Sequence, residues 1–103
     1  SAKSAFVHKP AAVISSSRRA GSVTSMDVLN KHLSISEMPI VTSNYWNEVH
    51  GHTPSDVEQD REGLDTMYAL GKNMAWMLKC IEAGKKAGIE VPQNKKRTTN
   101  FIR

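Results

Sequence analysis

The sequence predicts an α/β fold, the βαβα portion of a doubly wound parallel sheet. Three observations predict it. Two short runs, residues 11–14 and 40–43, read as strands, and the first is apolar without alternation, as strands covered on both faces are. Between them lies a stretch of helical periodicity. After them comes a second, longer helical stretch that ends near Gly88.

The elements follow in order. Lys9-Pro10 leads into Ala11-Ala12-Val13-Ile14, and a first strand is expected over residues 11–15. A small, polar loop of Ser15, Ser16, Ser17, Arg18, Arg19, Ala20 and Gly21 follows. Val23, Met26, Leu29 and Leu33 then recur at three- and four-residue steps, which predicts a helix from about Ser22 to Ile35. Thr24 with Asp27, or Ser22, is the expected N-cap. Met38-Pro39 opens a second strand over residues 40–43, parallel to the first, with a right-handed crossover.

Next, residues 44–54 are expected to form a long loop. Ser55 and Glu58 fit a capping box, and acidic residues crowd the following turns, where a helix dipole favours them. The long helix runs to about Lys86. Its expected buried stripe is Leu64, Met67, Gly71, Met74, Leu78 and Ile81, with Gly71 approaching the sheet and a break near residues 61–63. Trp76 lies off that stripe, beside Asp65, Ala69 and Lys72, which points to a neighbouring element or subunit. Residues 9–88 are thus read as the core of one partial domain, and residues 89–103 as an extended tail.

Composition bounds the function. With 103 residues there is room for two strand–helix units of roughly 30 residues each. No apolar run approaches the ~18 residues of a membrane span, and no signal peptide is visible, so no membrane partner is expected and the cytoplasm is the expected location. The one cysteine, Cys80, fits a reducing compartment. Ser1 is not a Met, and a processing point or the edge of a longer chain is expected there. The net charge of +4 suggests nucleic acid. However, from Gly84 onward six basic residues face one acidic residue, while the rest carries eight against nine. The excess belongs to the tail, so nucleic acid is not the expected partner.

Chemistry is expected in the two strand-to-helix loops, because ligands of open α/β sheets bind beyond the carboxyl ends of the strands. Ser15, Ser16, Ser17, Arg18, Arg19, Ala20 and Gly21 precede a helix N-terminus whose free amides suit an anion or a polarised carbonyl. A solvated turn is the alternative. Tyr45 and Trp46 offer a stacking surface or a plug for the sheet end. His50 and His52 form an HxH pair without a third ligand, so no metal site is expected. No GxGxxG or GxxxxGK[ST] pattern is present.

Three stretches in order, KPAAVISSSRRAG, MPIVTSNYWNEVHG and EGLDTMYALGKNMAWMLK, with the terminal TNFIR, resemble the C-terminal half of flavodoxin-like NAD(P)H-dependent FMN reductases, a family that includes iron–sulfur flavoproteins. The resemblance implies a five-stranded parallel sheet of which this chain supplies the last two strands. It implies FMN as cofactor, NAD(P)H as substrate, and hydride transfer to the flavin with electrons passed on to an acceptor. It places Ser15 to Gly21 along the isoalloxazine edge, and Tyr45 and Trp46 near the flavin or a neighbouring subunit. The family's phosphate loop has no counterpart here, so this chain alone is expected to be inactive, and no residue of it is assigned as catalytic. The missing N-terminal half and a homo-oligomer are the expected partners. A small basic nucleic-acid-binding protein and a non-enzymatic interaction module are the competing classes.

Overall fold

The computed structural model describes residues 2–101. After a short 3-10 turn, Ala2–Ala5, the chain forms β1 (Ser15–Ser17), α1 (Ser22–Ile35), β2 (Glu48–His50), α2 (Pro54–Gln59) and α3 (Arg61–Lys86). β1 and β2 pair in parallel, with α1 as the connection between them. The mixed α/β character and the parallel pairing match the expectation.

The pairing begins at Ala11, which faces Ile40 across an isolated parallel bridge. It resumes with Ser15 opposite Glu48, Ser16 opposite Val49 and Ser17 opposite His50. The second segment therefore carries extra residues between its two paired stretches, and these leave the sheet as an excursion. The expected strand over residues 40–43 is only the start of the pairing. The expected loop over residues 44–54 contains the regular strand itself. The physical reason is one side chain. Asn47 is buried, and its Nδ2 donates to the Val13 carbonyl at 3.1 Å while its backbone carbonyl accepts from the Ser15 N–H at 3.0 Å. The amide side chain thus replaces a missing peptide group and carries the ladder across the excursion.

Successive side chains on a strand point to opposite faces. The Ser17 hydroxyl accepts from Ser22 Oγ of α1 at 2.6 Å, and Val49, partner of the neighbouring Ser16, lies against Gly63 of α3. α1 and α3 consequently cover opposite faces, so the unit has helices on both sides of the sheet.

α1 has its expected bounds but not its expected caps. Gly21, at φ 96°, is the N-cap and makes no side-chain bond, while Ser22 is spent on Ser17. Its buried residues are Ser22 and Met26, whereas Val23 and Leu29 are exposed. α2 opens on a capping box of Thr53 and Asp56 with Pro54 just inside, not on Ser55 and Glu58. α3 ends in a Schellman turn. Gly88 takes φ 88°, its N–H reaches the Lys85 carbonyl at 3.1 Å, and the Ile89 N–H reaches Gly84 at 2.9 Å.

The buried face of α3 is Gly63, Thr66 and Leu70, rotated from the expected stripe. Gly71 is exposed and a methyl group there would meet nothing within 4 Å. Gly63 is the close approach instead, because a Cβ there would collide with the Asp60 carboxylate and come within 2.9 Å of Val49 Cγ1. We expect Gly63→Ala to destabilise the native protein by about 1–3 kcal/mol, and Gly71→Ala to leave it unchanged or slightly stabilised. Paired urea melts of the two variants check this.

Burial is shallow. Among the described residues the buried apolar side chains are Met26, Val41 and Leu70. Phe6, Ile14, Tyr68 and Trp76 are among many large apolar residues left exposed. The accessible surface is 8493 Å², where a compact chain of 11.4 kDa exposes about 5,800 Å². The radius of gyration is 17.3 Å, against about 13 Å for a compact domain of this length. The extended tail contributes to both. It is not free, since its Pro92 carbonyl lies 2.8 Å from His8 Nε2 and Asn94 Nδ2 donates to Glu37 Oε1 at 2.6 Å.

Candidate functional site

Two clefts border the excursion. The larger, of about 410 Å³, lies between α1 and residues 40–47, with Met26, Asn30, Val41, Tyr45 and Trp46 in its walls. The excursion that forms its rim is tied down at several points. Ser43 Oγ sits 2.5 Å from Asn47 Oδ1 and 2.7 Å from the Tyr45 carbonyl, and Asn73 of α3 donates to the Thr42 carbonyl at 2.8 Å. This bracing presents Tyr45 and Trp46 outward. Both are 56% exposed, their ring centroids are 6.1 Å apart, and the planes are tilted by 41°. Two large rings held in water by a fixed loop carry a burial free energy that is still unspent. Asn30 Oδ1, in the wall, is buried without a hydrogen-bond partner.

The smaller cleft, of about 140 Å³, is polar and has Tyr45, Glu48, His50, Asp60 and Thr66 around it. Asp60 organises it. Its Oδ2 accepts from the His50 N–H at 2.8 Å and its Oδ1 accepts from the Gly63 N–H at 2.9 Å. It thereby caps α3 and closes the end of β2 at once. These two backbone donors, Gly63 first and then His50, hold the carboxyl below its ordinary value against the opposing effect of burial, and the nearby His50 ring adds a smaller pull the same way. The His50 ring Nδ1 lies 3.8 Å from the carboxylate.

A depressed folded-state value means that ionised Asp60 stabilises the fold fully above its unfolded value of about 3.9, and that the contribution disappears as pH falls through the folded value. Asp60→Asn keeps a cap for Gly63 but loses the charge and one acceptor. Its thermal midpoint should lie below that of the parent at neutral pH, and the gap should close on acidification below about pH 4. A gap independent of pH would count against the charge.

The expected site residues divide between separate places. Ser15, Ser16 and Ser17 form β1, and Arg18, Arg19, Ala20 and Gly21 make the exposed or half-exposed turn into α1, where the first-turn amides have no side-chain cap. Tyr45 and Trp46 do not follow the last strand. They precede β2, in the excursion, and neither cleft is lined by Ser15 to Gly21. Of the HxH pair, the His50 ring lies 3.8 Å from Asp60, while the His52 backbone N–H donates to Asp56 at 3.3 Å. Among the described residues no group of His, Cys, Asp or Glu side chains is placed to hold a metal, and no helix is long and apolar enough to cross a membrane.

Asn47 and Asp60 were not legible as site-builders. Asn47 flanks the aromatic pair in sequence, and Asp60 was one of several acidic residues near a helix start. Only the fold gives each its buried partner.

No family model, curated protein or solved structure matches the chain.

Proposed function

We propose that this chain is the C-terminal portion of a flavodoxin-like FMN-dependent oxidoreductase, which takes hydride from NAD(P)H and passes electrons to an acceptor. The observation that carries the proposal is the parallel strand pair joined through α1, with a loop-braced pair of exposed aromatic rings at the mouth of a 410 Å³ groove. It stands beside the resemblance of the three ordered stretches. The bound flavin supplies the hydride and electron chemistry.

The residues present fit parts of such a cofactor. Uncapped amides at the start of α1 suit a carbonyl or an anion, and Arg18 and Arg19 beside them add positive charge. Tyr45 and Trp46 suit the face or edge of a planar ring. Because these two groups line no common cleft, the remaining walls come from another segment in this reading. Within it, this chain orients the ring system and excludes water from it.

Visible absorption of the purified full-length protein tests the proposal. A flavin spectrum bleached by NADH or NADPH under anaerobic conditions is the expected result. A colourless protein that stays colourless on addition of FMN would overturn it.

A further inference from the structure

The two sides of α3 differ. Gly63, Thr66 and Leu70 are its buried residues, and Gly63 approaches Val49 of β2. At about 100° per residue, Asp65, Tyr68, Lys72, Trp76 and Lys79 fall within an arc of about 80° on roughly the opposite side. All five are exposed, Tyr68 at 72% and Trp76 at 65%. Because α3 lies on the sheet through its buried side, widening the sheet beyond β1 would leave this outer face in water. Two aromatic rings about two turns apart on such a face mark a contact surface.

Charge along α2 and α3 is segregated as well. Asp56, Glu58, Glu62 and Asp65 crowd α2 and the start of α3, against Arg61. From Lys72 onward the sign reverses. Lys72, Lys79, Lys85 and Lys86 face one acidic residue of the helix, Glu82, which lies 3.2 Å from Lys86. The basic tail continues the same sign.

We propose that the outer face of α3 is an interface between two copies of the chain, with the two helices antiparallel about a two-fold axis at Lys72. A helix that is acidic at its start and basic over the rest complements its own copy only when the two run in opposite directions. A parallel pair would set acid against acid and base against base. Tyr68 and Trp76 lie four residues to either side of Lys72, and Asp65 and Lys79 lie seven. In the antiparallel pair Tyr68 therefore meets Trp76 of the other copy and Asp65 meets its Lys79, and the two-fold makes each contact twice. Lys72 meets its own copy at the axis, and its flexible stem carries the ammonium group out to the rim. The two rings bury about 150–250 Å² each, about half of the roughly 800 Å² that each partner gives to a stable interface. The rest is at hand, because a helix of 26 residues is about 39 Å long. An anionic partner such as nucleic acid fits less well, since Asp65 would face it. The interface rests on the rings and charges of α3 and not on flavin, so a colourless protein would leave it standing.

Sedimentation equilibrium of the native full-length protein tests it. The protein should be a dimer or a higher even-numbered oligomer. Trp76→Glu should halve that order with helix content unchanged by circular dichroism, the dissociation constant rising about 100-fold or more. A monomeric parent, or a Trp76→Glu variant that keeps the parent's order, would overturn the proposal. Charge exchange separates a second copy from any other partner and fixes the direction of pairing. Asp65→Lys should weaken the association roughly tenfold. Adding Lys79→Asp to the same chain should restore it, because the exchanged charges are complementary again across an antiparallel two-fold. Asp65 and Lys79 are about 21 Å apart along one helix, too far to pair within it. Association that stays weak in the doubly substituted protein would overturn the antiparallel pairing.

Discussion

On the proposed reading of a partial sheet, the 103-residue chain taken alone should melt without a cooperative transition. The physical case is a shortage of burial. The folded chain exposes 8493 Å², where its mass in extended form would expose about 16,500 Å². Folding therefore hides only about half of the surface, less than the roughly 60% that even a 60-residue domain manages. The ordering entropy of the backbone, about 1–2 kcal/mol per residue, is not reduced in proportion. Two strands are also below the three or more normally needed for an independent sheet. Urea titration of the isolated chain should give a shallow, featureless curve. Tryptophan emission should begin solvent-like, since Trp46 is 56% and Trp76 65% exposed. In the native full-length protein the same titration should be sigmoidal, with emission shifted to the blue. A sharp transition of a monomeric isolated chain, established by size exclusion with light scattering, would contradict this.

The second large effect concerns flavin. Isothermal titration of FMN into the 103-residue chain should show no tight binding, whereas the full-length protein should retain the cofactor through purification. The chain has uncapped helix amides and an aromatic pair, but they sit at separate places and the groove beside the rings is open. An unassembled site must supply the ordering cost of its walls from the binding energy itself. In the full-length protein, Trp46→Ala should weaken FMN by about 1–1.5 kcal/mol, roughly tenfold, if the ring contributes one stacked contact. Unchanged affinity in Trp46→Ala would remove Trp46 from the flavin site and leave it to a subunit contact. Tight binding by the isolated chain would contradict the division of the site.

Local periodicity and local chemistry were enough for part of the molecule. The apolar steps and the small polar loop before Ser22 determined α1 from Ser22 to Ile35, and Gly88 after two lysines determined the end of α3. The parallel order of two apolar runs around a helix was legible for the same reason, because it depends on a chirality rule that holds for any such unit, whereas the helix break expected at residues 61–63 falls at Asp60 and Gly63 lies inside α3.

What only the tertiary structure decided was non-local. The continuation of the ladder past residues 42–47 depends on the Asn47 amide finding Val13, 34 positions away, and no propensity encodes that bond. It moved Tyr45 and Trp46 from the end of a strand to an excursion within it. The choice of Gly63 over Gly71 as the close approach followed from where β2 meets α3, a rotation that a helical stripe cannot resolve when apolar residues surround most of the helix. Asp60 could be recognised as acidic and near a helix start, but its tie to the end of β2 exists only once the strand has paired. Which edge of the first strand stays unpaired among the described residues is the last of these, since Ala11, Ser15 and Ser17 bond the second segment and turn Ala12, Ile14 and Ser16 outward. A single residue of register decides which peptide groups face outward, and register is a property of two strands together.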